Sequence, residues 1–342
     1  LPFRSLHSIR KEHKMASKKN KTQAKAHKKI KISLGIFALV VMAIFLFGDL
    51  LYLAKLWTTP PQNFNVQQVF KINGETSPCG IFKPWDAVAS QSGFYISDQA
   101  NNRIIEFNRD GKYIDSITSK EAGKPDFKEL SSITMTPTGD IYCIDTWNNL
   151  LRGFNHQHHA LAQINIGGKG FYGPRGVAYS NGDFVIADTG SHRVAKVSSQ
   201  GDIVGSWGTH GSGKVEFNNP TQVIADDQNR YYVADRDNHR IQCLDNNGKF
   251  VWETSVTPAP VAEAIDTTNR LLYVSTGQAI NVYDLTGKIL GAFNTLQKSG
   301  QTFDNVIALS VFPDGNVLSC QGGSATVYHP LQTTALGQTA AK

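Results

Sequence analysis

The chain has 342 residues, 40% hydrophobic and 18% charged, enough for one large domain or two small ones. Its formal charge of +6 is an N-terminal property: residues 1–31 hold eleven Lys and Arg against one acid, Glu12, and the remainder holds 23 basic and 27 acidic residues, a net of −4. That balance argues against nucleic-acid binding by the folded part, which would need a basic surface.

In chain order, the basic tail 1–31 comes first and reads as cytoplasmic. Met15 looks like a natural start, with 1–14 as an extension. An apolar stretch follows, without charge from Ile32 to Gly48 and with Asp49 alone before Lys55. About 20 apolar residues span a bilayer, so residues 32–56 are expected to form a transmembrane signal anchor. The basic flank orients the tail inward and everything after it outward. A cleaved signal peptide is the rival reading, but Tyr52-Leu53-Ala54 is a poor cleavage site. Residues 57–65, with Pro60-Pro61, form a short semi-rigid linker. Cys79, Cys143, Cys243 and Cys320 lie at no metal-ligand spacing, and the last three sit inside apolar strands. The sequon Asn20-Lys21-Thr22 is confined to the tail, and the part beyond the anchor has none. Scarce cysteines and absent sequons lean toward a bacterial envelope location.

From residue 66 onward one phrase recurs. Asp98-Gln99-Ala100-Asn101-Asn102-Arg103 returns as Asp188-Thr189-Gly190-Ser191-His192-Arg193 and as Asp235-Arg236-Asp237-Asn238-His239-Arg240, with a weaker copy from Asp145 to Leu150. The Asp falls at 98, 145, 188 and 235, and Ser275 and Gln321 take its place further on. A period in the forties with strand–turn–strand units marks a β-propeller, one blade per copy. Blade 4 is the clearest, with strands expected at 220–226, 230–235, 240–245 and 250–253 and a hairpin at Asn246-Asn247-Gly248. Similar units span 85–117, 131–164, 175–207, 261–293 and 306–328. The sixth lacks a fourth strand, and an orphan strand at 66–72 precedes the first. Residues 66–72 are therefore expected to close the last blade, since an open ring leaves raw edges. The propeller then occupies 66–330 and a C-terminal tail 331–342. The fold class is all-β: a six-bladed propeller preceded by one N-terminal transmembrane α-helix.

The Asp-x-x-Asn-x-Arg phrase resembles the NHL repeat. So does the linker 205–220, with glycines spaced ahead of Phe217 and Pro220. The resemblance runs over roughly 80–330, strong in blades 1, 3 and 4, moderate in 2 and faded in 5 and 6. It implies a six-bladed propeller and no single activity, since the family includes scaffolds, sensors, RNA binders and a few enzymes.

Identical groups in every repeat serve the scaffold, whereas chemistry needs unlike groups at one point. The pairs Asp98/Arg103, Asp188/Arg193 and Asp235/Arg240 are therefore expected to brace the turn between strands two and three. Binding candidates are the unlike residues where first strands enter the channel: Trp85, Asp86, Arg175, Gln222 and Glu263. The cluster His156-Gln157-His158-His159 falls on a strand three–four hairpin and is expected to be solvated. Propeller lyases that use a histidine-held zinc find no counterpart, because no first-strand start offers a His. A lactonase-like cation site finds a loose match in Asp86, Gln222, Glu263 and Asn305.

The function expected from these residues is a membrane-tethered, extracytoplasmic binding or scaffold module. Its partners would be proteins, peptides or glycans, with no nucleic acid and no cofactor. The alternative is a lyase or lactonase-like enzyme with a divalent cation in the channel.

Overall fold

The computed structural model describes residues 64–277, 279–294 and 305–331. The basic tail 1–31, the anchor 32–56, the linker up to residue 63 and the end from 332 lie outside the described residues. Among the described residues no helix is long and apolar enough to cross a membrane.

The described chain folds as an all-β propeller of six four-stranded sheets. Blade 1 comprises Pro84–Ala89, Gly93–Asp98, Arg103–Asn108 and Tyr113–Ile117. Blade 2 comprises Leu130–Met135, Ile141–Asp145, Leu150–Phe154 and a two-residue outer strand, Ile164–Asn165. Blade 3 runs through Gly176–Ser180, Asp183–Asp188, Arg193–Val197 and Ile203–Trp207, and blade 4 through Pro220–Ala225, Tyr231–Asp235, Arg240–Leu244 and Phe250–Ser255. Blade 5 holds Ala262–Asp266, Leu271–Ser275, Ala279–Asp284 and Ile289–Asn294. Blade 6 holds Val306–Val311, Val317–Gln321 and Ser324–Pro330, and its outer strand is Val66–Asn73 from the other end of the chain, antiparallel to Ser324–Pro330.

The residue patterns explain the layering. The second and third strands are rich in β-branched and aromatic residues and lie between neighbouring blades, so both of their faces are buried. In blade 4, Tyr231–Asp235 and Arg240–Leu244 are buried throughout. The outer strand Phe250–Ser255 instead alternates half-buried and exposed residues, as a one-sided strand does. Apolar cores fill each of the six junctions between neighbouring blades, including the junction of blades 6 and 1. There Phe82, Phe94, Ile96 and Phe107 pack against Ala308, Phe312, Leu318 and Cys320. All four cysteines are free and buried.

The hairpins follow turn chemistry. Gly248 ends the Asn246-Asn247-Gly248 turn at φ +75°, and a Cβ there would come within 2.1 Å of the Trp207 indole from blade 3. The turn at 155–159 departs from expectation. His156 and His159 are exposed, but His158 folds back onto blade 1, with Nε2 2.8 Å from Glu106 Oε2 and Nδ1 3.5 Å from Asp115 Oδ2. The Glu106 carboxylate raises its imidazole pKa against the opposing effect of burial. A sequence pattern marks where a turn falls, and the packing of two blades decides which of its side chains is turned inward.

Candidate functional site

The repeated acids define one region. Asp98, Asp145, Asp188 and Asp235 each end the second strand of a blade and are fully buried. One oxygen of each accepts a backbone N–H from the incoming linker: Lys83 at 2.9 Å, Lys128 at 2.8 Å, Tyr172 at 2.8 Å and Asn218 at 2.7 Å. The other oxygen meets Arg103, Arg193 and Arg240 Nε at 2.8, 2.9 and 2.8 Å in blades 1, 3 and 4. The guanidinium groups then donate to linker carbonyls of Cys79, Gly170 and Gly213. Asn101 and Asn238 donate to the same carboxylates at 2.7 and 2.9 Å. Each unit ties a linker to a turn, and Asn102, Asn149, His192 and His239 occupy one left-handed position at its end, φ 49–54°. Blade 2 has Leu150 where the others have Arg. Arg152, two residues on and on the same strand face, reaches Asp145 at 2.8 Å and is 1% exposed. Sequence reading passed over Arg152, although a strand period of two was the available signal.

The channel is the second region. Asp86, on the first strand of blade 1, is buried. Its Oδ2 accepts from Ser132 Oγ at 2.5 Å and the Ile133 N–H at 3.1 Å. Its Oδ1 accepts from the Ala87 N–H at 2.9 Å and Gln222 Nε2 at 3.1 Å. Gln222 Oε1 in turn accepts from the Glu263 N–H at 2.7 Å. This chain of bonds links blades 1, 2, 4 and 5. Burial pushes the Asp86 carboxyl up to about 6, with its four hydrogen bonds pulling the other way. Glu263 is 1% exposed, and neither carboxyl oxygen has a hydrogen-bond partner among the described residues. Burial raises it well above the usual carboxylate range and the Asp86 charge adds to the rise. The Ala234 N–H opposes without reaching hydrogen-bonding geometry.

Asp86 and Gln222 line two cavities and form the waist between them. One, of about 580 Å³, has apolar walls that include Ile81, Phe82, Trp85 and Ile307, a floor of Asp86, Ser132, Thr221 and Gln222, and Lys83, Gln99 and Arg236 around it. The other, of about 240 Å³, is lined by all six first strands and includes Glu263. Arg175 lies in a third hollow of about 520 Å³ that shares Trp85 and Gln99 with the first. Its guanidinium sits 5.0 Å from the Trp85 ring centroid and 3.2 Å from Glu129. Of the expected binding residues, the structure gathers Trp85, Asp86 and Gln222 at one mouth, sets Arg175 beside them and puts Glu263 beyond the waist. Asn305 lines none of these three cavities.

Lys83, Gln99, Ser132 and Arg236 also line the mouth, and sequence reading did not single them out as candidates. Gln99 and Arg236 carried a signal. They share a repeat position with Thr146 and Thr189, which are buried and donate to the Pro174 and Pro220 carbonyls of the next blade at 3.1 and 2.7 Å. Where the repeat departs from threonine, the side chain enters the mouth.

Residues 171–204 and 217–244, in blades 3 and 4, match the NHL repeat. Two relatives are both NHL repeat-containing protein 3. The one from Mus musculus is 31% identical over 155 residues, and the one from Homo sapiens is 30% identical over 154. Each match covers 39% of this chain and 43% of the relative, so the chain spans less than half the length of these relatives. Among solved structures, a streptogramin B lyase is 16% identical with a TM-score of 0.57, covering 80% of this chain and 99% of that one. Virginiamycin B lyase from Staphylococcus aureus is 16% identical with a TM-score of 0.54, covering 79% and 89%. A catalytically inactive form of that lyase with quinupristin is 14% identical with a TM-score of 0.55, covering 78% and 99%. At these identities the likeness is one of fold.

Proposed function

We propose that the chain is a binding module: a propeller held at a membrane by residues 32–56, presenting its mouth outside the cytoplasm to a protein, peptide or glycan. One observation carries this reading. At one repeat position the 580 Å³ cavity presents Trp85, Thr221 and Ile307, unlike one another, while the Asp86 carboxylate beneath is already saturated by internal hydrogen bonds. A concave apolar mouth over a rigid polar floor suits recognition, and a carboxylate with four donors has no lone pair left to take a proton from a substrate. The test uses the full chain in lipid nanodiscs with a photocrosslinking residue in place of Trp85. Crosslinks to an envelope component that disappear when the mouth is narrowed by substituting one of its lining residues, Ala100→Trp, support the reading. Crosslinks indifferent to that change refute it. Reporter fusions at the two termini test the tether, and an N-terminal reporter active outside overturns its orientation.

A second reading keeps the lyase or lactonase-like alternative, and its support is Glu263, a buried carboxyl without a partner. Among the described residues no three His, Cys, Asp or Glu side chains come together as a metal cluster. Asp86 would also have to give up a hydrogen bond to bind a cation. A stoichiometric zinc or calcium in the purified chain, lost with Glu263→Ala, decides for this reading.

A further inference from the structure

The charge around the mouth runs against that of the domain behind it. Residues beyond the tail carry a net −4. Yet Lys83 and Arg236 at the main cavity and Lys128 in the adjoining hollow are exposed, and none has an ion pair among the described residues. The acids nearby are already engaged. Glu129 is held by Arg175 at 3.2 Å, by the Trp147 indole N–H and by Gln99 Nε2 at 3.5 Å. Asp86 is saturated at the floor. What remains free to meet a ligand is cationic and apolar: three positive side chains without an ion pair among the described residues, and the surfaces of Trp85, over whose ring Arg175 sits, Trp147 and Ile81, the last two 54% and 61% exposed.

The two hollows share Trp85 and Gln99 and so form one strip from the channel mouth outward over blades 1 and 2. A strip of two joined hollows suits an extended chain better than a compact molecule. Unpaired cations flanking an aromatic pocket suit carboxylates flanking an apolar side chain. A neutral glycan fits less well, because the acceptors that would bind its hydroxyls, Glu129 and Asp86, are occupied. Nucleic acid fits less well because three cations on a negative domain fall short of the basic surface it needs. We propose that the mouth takes an acidic peptide segment, seating an aromatic or aliphatic side chain against Trp85 and its carboxylates on Lys83, Lys128 and Arg236. This rests on the reading of the mouth as a binding site.

The experiment follows tryptophan fluorescence of the full chain in nanodiscs as four probes are added. They are a capped Glu/Asp-rich peptide with a central Phe, its Lys-rich counterpart, a neutral oligosaccharide and a short oligonucleotide. The acidic peptide is expected to bind alone, to weaken with salt and to weaken roughly tenfold per charge reversal in Lys83→Glu and Arg236→Glu. Both variants are exposed substitutions, and retained thermal unfolding verifies that they fold. Binding by the basic peptide, the oligosaccharide or the oligonucleotide in preference, abolished by Trp85→Ala, overturns the acidic-peptide assignment and leaves the mouth standing. If no probe binds in a Trp85-dependent way, both fall.

Discussion

Two sets of buried carboxylates lie in this one molecule and are treated in opposite ways. At the strand two–three turns, Asp98, Asp145, Asp188 and Asp235 each meet an arginine, and each also accepts a linker N–H. In the channel, Asp86 and Glu263 meet no cation among the described residues. The first arrangement is a joint. It fastens consecutive blades and leaves nothing free to react with a ligand. The second also ties blades together, through Ser132, Ile133 and Gln222 on Asp86, but without a cation, and burial raises both carboxyl pKa values. Blades 5 and 6 separate the two further. They have Ser275 and Gln321 in place of the acid, and Ser275 Oγ donates to the Val306 carbonyl at 2.8 Å as a neutral, smaller tie.

The comparison is broken most severely by removing what both regions share, the closed ring. Deleting residues 62–73 strips the outer strand of blade 6 and is expected to abolish the cooperative thermal transition of the whole propeller. A surviving cooperative melt argues that the ring does not depend on that strand. Next in size, Arg152→Met leaves Asp145 buried without its cation and is expected to cost about 3–5 kcal/mol in denaturant unfolding. A loss below about 1 kcal/mol would mean that Asn148, which donates to Asp145 at 2.8 Å, and the linker amide suffice for the joint.

The channel set gives a pH signature of opposite origin. Asp86 is raised on folding from 3.8 to about 6, so above pH 4 the unfolded state ionises first. Stability should therefore fall as pH rises between about 4 and 6, by about 3 kcal/mol, and level off above. Glu263 works in the same direction, so Glu263→Gln is expected to flatten the slope and raise stability at pH 7. A stability that climbs with pH across this window contradicts the assigned environment. The smallest effect sharpens the contrast at the outer rim. His158 has its pKa raised by Glu106, so its contribution is complete below pH 6.5 and lost as pH rises through the folded value. His158→Gln should lower stability at pH 6 but not at pH 9, by at most about 1 kcal/mol after solvent screening.

Much of the architecture was legible in the chain itself. A phrase that recurs at a period in the forties can bury its apolar faces only against copies of itself, so the number of blades follows from counting. The pairing of Asp with Arg five residues on follows from the turn between them. The site was legible in part. Trp85, Asp86 and Gln222 were found because they differ from one another at equivalent strand starts. Arg236 was hidden in a turn whose neighbours are all structural. Only the tertiary structure decided that Glu263 lies beyond the waist from the mouth, that Arg152 replaces a missing arginine, and that His158 turns inward. The reason is physical. Repetition is a local property, set by strand period and turn chemistry, whereas the channel and the blade junctions are assembled from residues far apart in sequence, Asp86 and Gln222 being 136 apart. Their contacts exist only once the circle closes.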